Sequence, residues 1–582
     1  MATQVTLGSG VIDSASGLKL RTNGSTEAVD ISTGQVATLA QNPILTSGTA
    51  NGVLYLNGSK VATSGSAVTY NGTTFSTTAD ASISGLTVGK GAGAVSTNTA
   101  VGASALATNS TGGQDTAIGY QALTTSNGDY NTAIGYQAAQ NTTTGSDLTA
   151  VGRTALQNNT TGASNTAIGR SALNANTTAS NNTAVGYQAG YSNTTGTQNA
   201  LVGYQAGYAA TGNYLAAVGY QAGYSNTNNS DPNVAIGWQA LYSNTSGGAN
   251  TALGGFALKA NTTASNNTAV GYQAGYSNTT ADRNTAVGYQ AGYSNTTGTE
   301  NSFFGAQAGY STTTGTTRMT AIGYQAAYSN TTGSESVAVG RVALRSNTTG
   351  ANNTAIGHEA LWSNTTASNN TAVGYQAGYS NTTGLITAVG TQALYSNTTG
   401  IVNTAVGGLT AGYWNAALQV NTTGNYNTAV GGGSLSANTT ASYNTALGAV
   451  ALTNNTTGAW NAAGGVYALQ QNTTGSYNVA FGPQALASNT TASNNTAVGY
   501  QAGYNNLTGT GNAFFGAQSG YVVTGDYNTA TGYLSGGTIS ASSGSYNTWS
   551  GYVAGRFITS GGYNTGMGAY ALYSNTTASN NT

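Results

Sequence analysis

An apolar pair followed by glycine recurs along most of the chain. One copy reads Asn182-Thr183-Ala184-Val185-Gly186-Tyr187-Gln188-Ala189-Gly190-Tyr191-Ser192-Asn193-Thr194-Thr195-Gly196. With the glycine after the apolar pair as position 0, it falls 28 times between Gly102 and Gly568. Nineteen of the 27 spacings are 17 residues and the others are 16, 18, 19 or 24, so one structural unit is being repeated. The single 24 carries an insertion around Gly412-Tyr413-Trp414-Asn415. Positions −2 and −1 are apolar (Ala-Val, Ala-Ile, Phe303-Phe304, Phe514-Phe515), +3 is nearly always Ala, and +4 is Leu, Gly or Ala. Positions +1 and +2 vary most. Asn-Thr-Thr-Gly at +7 to +10 reads as a turn in which Asn and Gly take positive φ.

No window sustains a helical period. Short β-compatible runs between turns, at fixed spacing, predict an all-β chain: a repetitive β-solenoid or β-roll with about one 17-residue repeat per coil. At ~4.8 Å per rung, 28 rungs make a rod of about 130 Å. Neighbouring residues of a strand point to opposite faces. One member of the −2/−1 pair can therefore fill the coil's own core, and the other needs a partner. The simplest partner is the same surface on identical chains, closed about one axis.

Composition narrows the chemistry. Lys, Arg, Asp and Glu make up 4% of 582 residues, against about 25% in ordinary soluble proteins. Gly is 85, without a Gly-X-Y period and with Pro at 3, which excludes collagen. Zero Cys excludes disulfides, thiolate zinc sites and thiol nucleophiles, and one His excludes multi-histidine metal sites. No cofactor or metal is expected. A net charge of −1 with 12 cations leaves no basic footprint, so nucleic acid is not an expected partner. No apolar run reaches the ~18 residues of a membrane helix, and Met1–Gly8 lacks a cationic n-region and an apolar h-region. Membrane insertion is not expected.

The scarce charges test the coil period. Arg283, Glu300, Arg318 and Glu335 all lie five residues before consecutive anchors, with alternating sign. If one repeat is one rung, they form a single column. Arg153 and Arg170, both at +1 of adjacent repeats, are the like-charged exception.

Residues 1–84 differ and read as an N-terminal β domain for capping or particle attachment, followed by a transition segment at 85–97. Val53–Val61 and Val68–Phe75 look like hairpins around Asn57-Gly58 and Asn71-Gly72. Residues 98–582 are the repeats. They stop at Asn581-Thr582, where the next unit would begin, and an open coil needs a cap. The expectation is a shaft truncated at its C-terminus.

Gly85-Leu86-Thr87-Val88-Gly89-Lys90-Gly91-Ala92-Gly93, followed by the tandem Asn-Thr-Ala-Val-Gly-Tyr-Gln-Ala units, resembles the shaft of bacteriophage tail-fibre proteins. The units Val337-Ala338-Val339-Gly340 and Val234-Ala235-Ile236-Gly237 are also similar to the head repeats of trimeric autotransporter adhesins, although the 17-residue spacing is longer. The resemblance implies an intertwined or side-by-side homotrimeric fibre. It implies contacts to other virion or surface-fibre proteins through residues 1–97, and a host surface glycan or protein receptor.

Few residues offer chemistry. His358-Glu359 is the one His-acid neighbour, at +1/+2, and it lacks the second His of a zinc-protease helix. Asp115, Asp129 and Asp147, at −4, −6 and −5, could gather at one corner as a weak cation site or a glycosidase-like pair, or serve as plain turn residues. Tyrosines recur at +1 (Tyr187, Tyr204, Tyr220) and +5 (Tyr191, Tyr208, Tyr224), either to stabilise columns or to bind sugar rings. The Asn-Thr-Thr sequences match a glycosylation acceptor, but turn chemistry accounts for them. Regular Thr raises ice binding as a remote alternative. No catalytic, cofactor-binding or metal residue is assigned. The sequence is expected to be a non-enzymatic structural fibre of a phage-like particle, extending a receptor-binding tip. The alternatives are a bacterial surface adhesin or a glycan-cleaving tailspike.

Overall fold

The computed structural model describes residues 79–409, 415–537 and 542–582, and five strands nearer the N-terminus: Ile12–Asp13, Lys19–Leu20, Gly52–Leu56, Ala62–Tyr70 and Phe75–Thr77. The insertion at Gly412-Tyr413-Trp414 and the Asn57-Gly58 and Asn71-Gly72 turns lie outside the described residues. Gly52–Leu56 pairs antiparallel with Ala62–Tyr70, which pairs antiparallel with Phe75–Thr77. These are the strand pairs expected on either side of the two Asn-Gly sequences. Every described element is a strand, and no helix is long and apolar enough to cross a membrane.

Contacts divide the chain into two units, residues 1–161 and 162–582. In the first, Thr99–Val101, Thr116–Ile118, Thr132–Ile134 and Thr149–Val151 run parallel, each offset from the next by one repeat, with Ala100 opposite Ala117 and Ala133 opposite Ala150. The leading edge is covered. A hairpin of Ala81–Ile83 and Leu86–Gly89 lies antiparallel on it, with Val88 opposite Val101. A bare edge would leave a row of unpaired backbone groups open to other chains. The covering strand lies in the segment read from sequence as a transition.

In the second unit, twenty-four such strands run from Thr166–Ile168 to Thr565–Met567. Each is parallel to the next in the same phase, for example Ala184 opposite Leu201 and Ala355 opposite Ala372. The 24-residue spacing leaves the register intact, since Val406 still faces Val430. One repeat is therefore one coil, and the fold is a β-solenoid.

The coil is too small for an ordinary core, and its chemistry explains the repeat. The Ala at −2 and +3 are fully buried, as Ala184 and Ala189 are. Two Asn positions, −4 and +7, are buried as well. At −4, Asn182 Oδ1 accepts from Asn199 N one coil on (3.0 Å), while its Nδ2 donates to Gly196 O (2.9 Å). At +7, where Asn follows Asn the amide commonly donates to the Asn of the preceding coil: Asn261 to Asn244 (2.7 Å), Asn364 to Asn347 (2.8 Å), Asn472 to Asn455 (2.7 Å). Buried polar groups are tolerated when paired. A side chain with both donor and acceptor pairs indefinitely along a stack, which is why Asn recurs here.

The turn expectation needs correcting. In the coil of Gly186, the positive-φ residues are Asn181, Gly186, Gln188 and Gly190 (φ 62°, 138°, 53° and 61°), whereas Asn193 and Gly196 have no positive φ. The sharp corners lie at −5, 0, +2 and +4. Asn at +7 is kept for its amide, not for its backbone freedom. At position 0, glycine is required twice over. Its φ near 138° is one that L-residues avoid, and a Cβ on Gly186 would run into the Gly203 carbonyl of the next coil.

Candidate functional site

With the coil interior filled by Ala, Leu and Asn and a few larger side chains such as Phe303, any recognition falls to the outward columns. The −1 residue leaves the strand opposite the buried Ala and forms one of them. Ile356, Val406 and Val430 are 39%, 37% and 38% exposed, although their −2 neighbours Ala355, Ala405 and Ala429 are at 0%. The division of the apolar pair between two faces is as the sequence implies.

Aromatic rings form three further columns. At +1, Tyr187, Tyr204, Tyr220 and Trp238 stack at 5.1, 5.2 and 4.4 Å between centroids. At +5, Tyr276, Tyr293, Tyr310 and Tyr328 stack at 5.1 Å per step. The third column, at −5, was not foreseen: Tyr426, Tyr443, Trp460 and Tyr477 stack within 6.4 Å. A count by position would have found it, because Tyr130, Tyr214 and Tyr527 share that phase. Burial by their neighbours raises the Tyr293 and Tyr379 hydroxyls above the usual tyrosine range. Within a column each ring face is taken by the next ring, so only edges and hydroxyls meet solvent. A second unforeseen array lies at +2, where Gln205 donates to Gln188 (2.9 Å), Gln221 to Gln205 (2.9 Å) and Gln239 to Gln221 (2.8 Å).

The charged column is present. Glu300 N donates to Asp282 O, Arg318 N to Thr299 O and Glu335 N to Thr317 O, which sets the four residues on consecutive coils. Ion pairs join Arg283 to Glu300 (2.8 Å) and Arg318 to Glu335 (2.7 Å). Among the described residues no ion pair joins Glu300 to Arg318. Arg153 lies over the Tyr136 ring at 5.8 Å and Arg170 over the Tyr187 ring at 5.5 Å, so each of these like charges has its own aromatic partner.

The candidate chemical residues are absorbed into the columns. His358 stacks on Tyr375 (5.4 Å, 7°) and its Nε2 faces Arg341 Nη1 at 2.8 Å. Glu359 accepts from Gln376 Nε2 at 2.6 Å, standing in for a glutamine of the +2 ladder. Asp115, Asp129 and Asp147 lie on consecutive coils, with Asp147 N donating to Asp129 O (3.0 Å), but their side chains differ in setting. Asp115 is fully buried in the −4 Asn column, whereas Asp129 and Asp147 are exposed. Asp129 Oδ1 accepts from Gly113 N (2.8 Å), and among the described residues no cluster of three ligating side chains occurs. Apart from the exposed Asn141, most Asn-Thr-Thr sequences do not present their amides either. Asn193 is 1% exposed, with Nδ2 donating to Gly196 O.

Compared with known proteins, the chain matches no family and no curated sequence.

Proposed function

We propose that this chain is the shaft of a homotrimeric fibre on a phage-like particle, with a structural role and no reaction of its own. It holds a receptor-binding tip away from the particle, and its N-terminal region, residues 1–97, meets other fibre or virion proteins. One observation carries the reading: in the second unit every −1 residue from Ile168 to Leu447 is Val, Ile, Leu or Phe and is left partly or well exposed on one edge. Single exposed apolar side chains are ordinary, but an unbroken file of them marks an interface. At roughly 25 cal/mol per Å² of apolar surface, many equal small contributions add along the axis. The charge-poor surface fits as well, since like charges would otherwise meet between chains at every level.

Sedimentation mass of the intact protein tests the assembly: three chain masses are expected, and a stable monomer overturns it. Immunogold labelling with antibody to the repeats tests the location. Label along fibres of virus-like particles supports the proposal, and label on bacterial cell walls favours an adhesin instead.

A further inference from the structure

The +1 column of aromatic rings is interrupted, and the interruptions differ. In the neighbouring +5 column the gaps are plugged: Lys259 Nζ lies 5.7 Å from the Tyr276 ring and Arg345 lies 5.4 Å from that of Tyr328. At Gly255 the next residue, Phe256, turns edge-on to Tyr272 at 5.8 Å. Between Tyr375 and Tyr500 the +1 column carries no ring at all, but two one-residue interruptions have a ring on either side and remain open: Ala306 between Tyr289 and Tyr324, and Ala517 between Tyr500 and Tyr533. Both occur in the same local sequence, Phe303-Phe304-Gly305-Ala306-Gln307 and Phe514-Phe515-Gly516-Ala517-Gln518.

Each vacancy is the size of one missing ring. The flanking tyrosines stand two rungs apart, about 9.6 Å, and Tyr289 and Tyr324 are 50% and 47% exposed. One wall is braced from behind, Tyr289 by Tyr272 (5.8 Å) and Tyr533 by Tyr552 (5.7 Å). The −1 residues of both coils, Phe304 and Phe515, belong to the column proposed as the interface between chains, so the walls of the gap are the tyrosines alone. Phe304 does not plug the gap, since among the described residues no ring contact joins it to Tyr289 or Tyr324. On the other side runs the amide ladder. Gln307 Nε2 donates to Gln290 (3.1 Å) and its Oε1 accepts from Gln325 (2.8 Å). One amide N–H and one acceptor lone pair are left over.

We infer that these two coils are saccharide sites, each seating one neutral pyranose unit of a glycan in the place of the missing ring. The flat C–H faces of a pyranose pack against aromatic rings above and below, as apolar surface against apolar surface. Its equatorial hydroxyls need donors and acceptors at the rim, which the spare amide valences of Gln307 and Gln518 and the tyrosine hydroxyls supply. A charged sugar is disfavoured, because no Lys or Arg lies in either box sequence. A plain aromatic ligand would stack as well but would leave the amides unused. This deepens the fibre reading by naming what the shaft touches, and it rests on that reading only for its biological setting.

Saturation-transfer NMR with methyl glycosides of glucose, galactose, mannose and N-acetylglucosamine, with phenol as the flat control, tests it on the full chain. At least one glycoside should receive saturation from the protein. The double substitution A306Y/A517Y completes the column with a residue already found at +1 of many coils, so its circular dichroism should be unchanged. It should weaken glycoside binding at least tenfold. No glycoside binding, equal binding by the plugged variant, or binding of phenol alone each overturns the inference. Sedimentation mass, run in parallel, reports on the fibre separately.

Discussion

The Phe303 ring occupies the space that a side chain on Gly309 would need. It is one case of a rule. Wherever the buried −2 residue is larger than Ala, the +4 residues of its own and the preceding coil are Gly: Phe303 between Gly292 and Gly309, Phe514 between Gly503 and Gly520, Trp549 between Gly536 and Gly555. The backbone does not demand that glycine, since Leu344 and Leu361 take φ of 52° and 50° at the same position. Volume does. Gly309→Leu should cost on the order of 1–3 kcal/mol of local stability through overpacking. Phe303→Ala should cost about 3–5 kcal/mol through its cavity. The double variant, which restores the common Ala/Leu coil, should cost clearly less than the sum. Native-state hydrogen exchange in the coils around 305 reads this, because stability in a solenoid is local.

The rule also finds a vacancy. Ala286 is flanked by Gly275 and Gly292, a setting that holds Leu201, Phe303, Phe514 or Trp549 in other coils and Ala again at Ala217 and Ala530, and here a small void lies, lined by Leu258, Gly275, Ala286, Gly292 and Phe303. Leu201 shows the filled version, fitting between Gly190 and Gly207. Ala286→Leu should raise the protection of neighbouring amides by about 0.5–2 kcal/mol. A loss of protection would mean that Phe303 already claims the space.

These pairings mark where reading from sequence stops. The period, the coil and the split of the apolar pair are legible, because all three follow from spacing and strand alternation. The Arg283–Glu300 column is legible because phase alone places it. Size matching between Phe303 and Gly309 is not, because it couples −2 of one coil to +4 of two coils, and each position alone shows only variation. The turn was misread for a related reason. Asn and Gly signal positive φ in isolated turns, yet here Asn193 turns its buried amide to both backbone groups of Gly196 and the left-handed corners fall on Gln188 and Gly190. The open rings beside Ala306 emerge only once neighbouring coils are superposed.

Asp115 occupies a site built for Asn. Its Oδ1 accepts from Asn131 N (2.8 Å), as an Asn would, and its Oδ2 accepts from Asn109 Nδ2 (3.2 Å). In place of the amide donor that Asn98 turns to Gly112 O, Asp115 has an oxygen. Burial pushes its carboxyl up to about 6, opposed in part by the Asn131 bonds and aided by the charge of Asp129. The folded pKa lies above the unfolded one, so the folded state holds the proton more tightly. Stability should therefore rise as pH falls from about 7 to about 4. Asp115→Asn should remove that dependence and gain up to about 3 kcal/mol above pH 7. Hydrogen exchange of the coils at 99–151, corrected for intrinsic rates, checks both signs.

The charge column gives the last prediction. Arg283 and Glu300 are paired, as are Arg318 and Glu335, and all four side chains are well exposed. Exposed pairs contribute ~0.2–1 kcal/mol, so Arg283→Gln should cost no more than that and act only on its own pair. R318E is a different experiment. It breaks the pair with Glu335 and sets three acids on consecutive coils, adding repulsion from both sides. Local protection around residues 300–335 should fall more than for Arg318→Gln, and the excess should fade in 1 M salt, where charges are screened within ~3 Å. If the substitution acts in three chains at one level, the loss should exceed the single-chain value. Equal effects of Gln and Glu, or no salt dependence, would show that the column is held by its backbone alone and that its alternating signs carry no energy.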